Sequence, residues 1–171
     1  MKIMNLPLIR CANSICFSLD GTLMFHTDSP SREIQCYNYN RSTGQIGRSN
    51  TFVVLQQEKL QNANDRPIPD GSIIDSLGNL WNSEWNGARV VLYKPSILQD
   101  NACDIPIRCV GKEILAEVRM PVPRVTCCCL GGPSMDWLFI TTGLSSEEGS
   151  GGLYVARVDI PGVPESRFCD C

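Results

Sequence analysis

The chain has 171 residues, of which 43% are hydrophobic and 19% charged, with a formal net charge of -3, so it carries enough apolar material for one packed domain and is not a disordered tract. Its 15 Lys and Arg residues are scattered rather than gathered into the basic stripe that nucleic acid requires. No apolar run approaches the ~20 residues of a membrane helix, and the start Met1-Lys2-Ile3-Met4-Asn5-Leu6-Pro7 lacks the apolar core of a secretory signal. The expectation is a single domain spanning 1–171, cytoplasmic by default, with neither nucleic acid nor membrane as partner.

Fourteen Gly and eleven Pro residues punctuate the chain too often for long helices. The first apolar strand falls near Ser14–Phe17 within Asn13-Ser14-Ile15-Cys16-Phe17. A Gly21 turn follows, then a strand from Leu23 to Thr27, a polar turn at Asp28-Ser29-Pro30-Ser31, a strand from Glu33 to Tyr39, and an outer strand at Thr51 to Gln56. The pattern then restarts. Asp70-Gly71-Ser72-Ile73-Ile74 precedes a Gly78 turn, a strand from Leu80 to Ser83, a turn at Glu84-Trp85-Asn86-Gly87 and a strand from Arg89 to Tyr93. The pairs Asn13 and Asp70, Gly21 and Gly78, and Leu23 and Leu80 share one offset of 57 residues. A looser third copy begins at Thr126 and runs through Gly131-Gly132 to strands at Leu138 to Thr142 and Gly152 to Val158, its turn two residues longer. A repeat of roughly 55 residues with about four short strands is the signature of propeller blades. The predicted fold is therefore all-β: about three four-stranded blades of a β-propeller. Three blades cannot close a ring that normally needs four to eight, so open edges and self-association are expected.

The ten cysteines read as reduced thiols. Three are consecutive, and in a strand Cys127 and Cys129 share one face while Cys128 takes the other; free cysteine is a small buried hydrophobe. Cys103 and Cys109 lie in a polar connection and could pair if oxidised, and Cys169 and Cys171 fall in a tail. His26, the one histidine, lies on a strand face with Met24 and Asp28 and reads as packed rather than catalytic. There is no Gly-x-Ser-x-Gly elbow. Gly149-Ser150-Gly151-Gly152 is a loop tip without the Lys of a phosphate-binding loop. Trp81, Trp85 and Trp137 read as core or inter-blade residues.

Asn13 and Asp70 stand at the same place in successive repeats, just before the first strand. In a propeller such positions converge on the axis, and both offer oxygen, which suits Ca²⁺ or Mg²⁺ while Zn²⁺ also accepts carboxylate. Turn chemistry alone also explains both residue types.

Phe17-Ser18-Leu19-Asp20-Gly21, Phe25-His26-Thr27-Asp28-Ser29-Pro30, Pro69-Asp70-Gly71, Asp75-Ser76-Leu77-Gly78-Asn79-Leu80-Trp81, Asn86-Gly87-Ala88-Arg89-Val90, Pro121-Val122-Pro123-Arg124-Val125-Thr126-Cys127-Cys128 and Gly131-Gly132 follow in order. Together they resemble the gluconolactonase, senescence-marker-protein (regucalcin) and luciferin-regenerating-enzyme family, from about Asn13 to about Phe168. The resemblance implies the C-terminal half of a six-bladed propeller. It also implies one divalent cation (Ca, Zn or Mg) at the top of the central channel and hydrolysis of sugar lactones. It assigns Asn13 and Asp70 as two of three metal ligands and Asp70 as the general base. The third ligand, a Glu of the first blade, and the family's substrate-contacting Arg, Asn and Glu belong to the half this chain does not match, so the substrate-binding residues here are unknown. Ser14 replaces a frequent Gly, and Ser96 to Lys112 is longer than the usual link and reads as an insertion. Two function classes fit: a metal-dependent lactonase, and a non-catalytic propeller remnant that binds calcium or a protein partner.

Overall fold

In the computed structural model, residues 9–55, 66–98 and 108–164 are described. They form eleven strands and one short 3-10 turn, Ser29–Ser31, so the fold is all-β as expected. The strands make three separate antiparallel meanders. The first sheet runs β1 (Ala12–Phe17), β2 (Leu23–Asp28), β3 (Glu33–Asn40) and β4 (Gln45–Val54). The second runs β5 (Ile68–Ile74), β6 (Leu80–Trp85), β7 (Arg89–Leu98) and β8 (Arg108–Arg119). The third runs β9 (Val125–Gly131), β10 (Trp137–Thr142) and β11 (Leu153–Arg157), with three strands among the described residues rather than the expected four.

The hairpins explain the offset of the turns but not of the strands beyond them: Phe17 pairs with Met24 and Ile74 with Leu80, so Leu80 answers to Met24 rather than to Leu23 as the shared offset implied. In the first sheet the Asp20 carboxylate accepts hydrogen bonds from Ser18 Oγ (2.6 Å) and the Thr22 N–H (3.0 Å) while Gly21 turns at φ 68°. In the second, the buried Asp75 carboxylate accepts from the Leu77 and Asn79 N–H groups (both 2.9 Å) while Gly78 turns at φ 81°. A left-handed residue flanked by an Asp that satisfies the turn's N–H groups sets each register, and only Gly takes that φ at no cost.

Two hydrophobic cores lie between the sheets. Leu23, Phe25, Ile34, Cys36 and Phe52 of the first sheet meet Ile74, Leu80, Val91 and Tyr93 of the second. The other face of the second sheet, with Trp81, Val90 and Leu92, meets Val125, Cys128, Leu130, Leu138 and Ile140 of the third. Each such buried side chain contributes about 1.5–3 kcal/mol. The sheets therefore stack in one direction, with the forward face of one on the backward face of the next.

Their first strands also touch. Ser14 Oγ lies 3.1 Å from Ser72 Oγ, and a Cβ added to Gly71 would come 2.7 Å from the Cys127 Cα. Gly71 is what permits β5 and β9 to approach this closely. The outer strands pack where a Cβ on Gly111 of β8 would meet the Phe52 ring of β4.

Several placements refine the sequence reading. Cys127 and Cys129 are exposed and Cys128 buried, as alternation requires. His26 is buried beside Tyr37. Trp81 is buried, whereas Trp137 is partly exposed. The two ends of the 96–112 stretch belong to paired strands, with Ser96 and Ile97 of β7 pairing with Val110 and Cys109 of β8. Cys109 thus belongs to a strand rather than to a polar connection, while Cys103, Cys169 and Cys171 lie outside the described residues. No helix of the described residues is long and apolar enough to cross a membrane.

Candidate functional site

Asn13 and Asp70 sit inside strands β1 and β5, not before them. Both occupy irregular stretches: the β1–β2 register shifts between Ala12 and Ile15, and the β5–β6 register between Pro69 and Ser72. These two bulges are related by the same 57-residue offset that relates the turns. A bulge turns a side chain out of the regular alternation, and here it aims both residues at the junction of the first two sheets. The structure brings them together, because the Asn13 side-chain amide hydrogen-bonds the Asp70 carboxylate. Asn13 Nδ2 also donates to Ser29 Oγ at 3.0 Å.

Burial raises the Asp70 carboxyl above its ordinary pKa, opposed by the bonds from Asn13 and from the Gly71 N–H. The carboxylate is thus held by an amide and a backbone N–H rather than by a cationic side chain. Cys127 stands against Gly71, and burial together with the Asp70 charge pushes its thiol up.

Two residues that sequence reasoning did not single out as site residues fix Asp70 from behind. The Ser14 hydroxyl lies 3.1 Å from the Asp70 carbonyl oxygen and 2.9 Å from Thr27 Oγ1, so it ties the two sheets together beside both candidate ligands. Asn82, fully buried in β6, donates from Nδ2 to the Asp70 carbonyl (3.2 Å) and to Ser72 Oγ (2.9 Å). The available signal was the polar run Asn82-Ser83-Glu84 inside a strand bracketed by Trp81 and Trp85. All three side chains are buried, where polar groups are mostly hydrogen-bonded, although among the described residues Asn82 Oδ1 and Ser83 Oγ are buried without a partner. Glu84 accepts from Arg89 Nε at 2.7 Å and Tyr93 OH at 3.0 Å.

At the same end of the sheets a polar hollow of about 310 Å³ opens between Asn86, Pro123, Arg124, Ser145, Ser146 and Glu147. Arg124 covers the Trp85 ring at 5.3 Å, and Trp85 pairs with Ile68, two residues from Asp70. This hollow is lined by polar donors and acceptors.

Among the described residues, no three His, Cys, Asp or Glu side chains gather as a metal site. Asn13 and Asp70 give one neutral and one anionic oxygen donor on adjacent strands. Such a pair fits part of the shell of a hard cation, which takes six or more oxygens.

A family model described as the SMP-30/Gluconolactonase/LRE-like region matches residues 4–144. An uncharacterized protein of Sulfolobus acidocaldarius is 32% identical over 161 residues, which cover 94% of this chain and 50% of that protein. Among solved structures, a luciferin-regenerating enzyme matches with a TM-score of 0.69 at 26% identity, over 91% of this chain and 48% of its own. A calcium-binding protein, regucalcin, from Agrobacterium tumefaciens matches with a TM-score of 0.66 at 22% identity, again over 91% and 48%. The chain spans about half the length of the curated relatives it matches. With most of its length matched by the family model, the chain belongs to the SMP-30/gluconolactonase/LRE-like family.

Proposed function

We propose that the three sheets are consecutive blades of a six-bladed propeller and that the chain carries half of a divalent-cation-dependent lactonase site acting on sugar lactones. The observation that carries this reading is the meeting of Asn13 and Asp70 at equivalent bulges, with the carboxylate held, among the described residues, by an amide and a backbone N–H. Family membership supports the lactone chemistry.

In this mechanism Asn13 and Asp70 would hold the cation through their side-chain oxygens. A bound divalent cation supplies Lewis-acid polarisation of a lactone carbonyl. Asp70 would orient the attacking water and take its proton where its contact with the cation is loose or shared, because a carboxylate held tightly against a divalent cation stays ionised. Asn82 and Ser14 hold the Asp70 backbone so that the carboxylate is already in place. The hollow around Arg124, Ser145 and Ser146 receives the hydroxyl-rich remainder of the substrate. A non-catalytic calcium-binding role is the alternative, favoured by the description of the A. tumefaciens relative.

As a lone monomer the chain supplies two of three expected ligands, so weak cation binding and little hydrolysis are expected. The test is lactone hydrolysis by the chain joined to complementary blades, with and without Ca²⁺, Mg²⁺ or Zn²⁺. Asp70→Ala should lower the rate by about 100-fold or more, and Asn13→Ala should raise the cation concentration required. Full activity in Asp70→Ala removes Asp70 from the mechanism, and a rate indifferent to chelation removes the assignment. Cation binding without hydrolysis selects the alternative.

A further inference from the structure

The bulge that aims Asn13 and Asp70 occurs a third time. In β1, Asn13 and Ser14 lie between the pairs Ala12–Asp28 and Ile15–His26, so both stand opposite Thr27. In β5, Asp70 and Gly71 lie between Pro69–Glu84 and Ser72–Asn82, opposite Ser83. In β9, Thr126 and Cys127 lie between Val125–Thr142 and Cys128–Ile140, opposite Thr141. The counterpart of Asn13 and Asp70 in the third sheet is therefore Thr126, and each of the three bulges faces a hydroxyl residue. A bulge re-aims a side chain at the cost of a disrupted ladder, and here that cost recurs at one position in three successive sheets.

Thr126 also stands at the right junction. A Cβ on Gly71 would come 2.7 Å from the Cys127 Cα, so the residues that follow Asp70 and Thr126 touch and the two bulges abut. The Asp70 charge reaches the Cys127 thiol. Thr126 is partly exposed, and its hydroxyl lies 2.8 Å from Thr141 Oγ1. Thr141 Oγ1 in turn donates to the Cys127 carbonyl at 3.4 Å. With the Thr141 proton used there, the proton between the two hydroxyls comes from Thr126, which keeps its own lone pairs for a further partner. A hydroxyl oxygen held in this way is a neutral donor for a hard cation, the role a Ser or Thr plays toward Mg²⁺ beside phosphate-binding loops.

We propose that Thr126 supplies a third oxygen to the cation that Asn13 and Asp70 would hold, so that each of the three sheets contributes the residue at its bulge. This rests on the cation reading above and adds a donor that the sequence resemblance does not assign. Amide, carboxylate and hydroxyl are all hard oxygen donors, a set that suits Ca²⁺ or Mg²⁺.

Luminescence of Tb³⁺, a hard cation with the oxygen preference of Ca²⁺, tests this on the full chain, because its decay in H₂O and D₂O counts the waters left on the bound ion. Relative to the parent, Thr126→Val should bind Tb³⁺ about 10-fold more weakly and with about one more water, which takes the place of the lost hydroxyl. Thr126→Ser keeps a hydroxyl and should restore the parent's water count. Thr141→Val removes the orienting partner and not the donor, so its count should also match the parent. Asp70→Ala should lose the binding. A Thr126→Val chain with the parent's affinity and water count overturns the inference, and the cation reading survives it if Asp70→Ala still loses binding. Equal rises in Thr126→Val and Thr141→Val overturn direct ligation, because the hydroxyl pair would then only shape the bulge. A parent that binds no Tb³⁺, or an Asp70→Ala chain that binds as the parent does, overturns the cation reading and the inference with it.

Discussion

Strand β6 of the middle sheet and strand β10 of the last sheet come from equivalent parts of the repeat, yet they differ in burial. In β6 five of six residues are buried, whereas in β10 exposed and buried residues alternate without exception. Backward-facing positions match, with Leu80 and Leu138 both fully buried. Forward-facing positions do not, as Ser83 is buried and its counterpart Thr141 exposed. The difference is one neighbour. A sheet covered on both faces can bury even a glutamate if it supplies partners, while a sheet covered on one face leaves its second apolar set in water. Phe139, Leu153 and Val155 are apolar where a solvated face would be polar, so their composition matches a covered position.

The largest expected loss is that of Glu84→Ala, on the backward face that both sheets bury. The carboxyl is 0% exposed and bonded to Arg89 and Tyr93, and burial raises its pKa against the opposing pull of Arg89. Removing it leaves a buried phenol and a part-buried guanidinium without that partner, at a cost of about 3–5 kcal/mol. Urea unfolding measures it. A loss under ~1 kcal/mol would mean that the middle sheet does not depend on satisfying its buried charge.

A pair of truncations sharpens the comparison. Leu92→Ala, at a covered forward position, should cost about 2–5 kcal/mol. Leu153→Ala, at an uncovered one, should cost under ~0.5 kcal/mol in the monomer. Measuring both by urea unfolding isolates the effect of the missing neighbour, and equal losses would show that the third sheet is already covered.

Much of this architecture was legible in the residues. The shared offset located both glycine turns and the first strands of the first two sheets, and a looser copy located that of the third, because a left-handed turn and a period-2 pattern are local properties. The cysteine triplet's alternation followed for the same reason. What stayed hidden depended on contacts between repeats. The bulges that aim Asn13 and Asp70 leave no mark in composition, so both residues looked like turn residues ahead of a strand. Ser14 reads as a departure from a frequent glycine, and only the approach of β1 to β5 reveals it as a link to the Asp70 carbonyl. Asn82 lies twelve residues from Asp70 in sequence and meets it only through the β5–β6 register. The pairing of β7 with β8 through Ser96 and Cys109 was masked by a polar, proline-containing stretch that carries no period.

The smallest expected effect tests the backward face of the first sheet. His26 corresponds by register to Asn82 and Ile140, and it is buried like them. Burial lowers its pKa from the ordinary 6.5, with the Asp28 charge opposing the shift. The folded state therefore binds a proton less readily than the unfolded chain. Above pH 6.5 both states are neutral at this site and its contribution is constant. As pH falls below 6.5 the unfolded chain protonates first, so stability is lost progressively until the folded pKa is passed. His26→Gln keeps a polar side chain of similar reach and removes this titration. Comparing urea midpoints of parent and variant at pH 7.5 and pH 5.5 (about one unit either side of the free value) should show the parent losing more on acidification. The opposing Asp28 charge keeps that difference below the losses from Glu84→Ala and Leu92→Ala. An identical acid loss in both proteins would place His26 in contact with water and mark the backward face of β2 as open, which would make the first sheet as uncovered as the third.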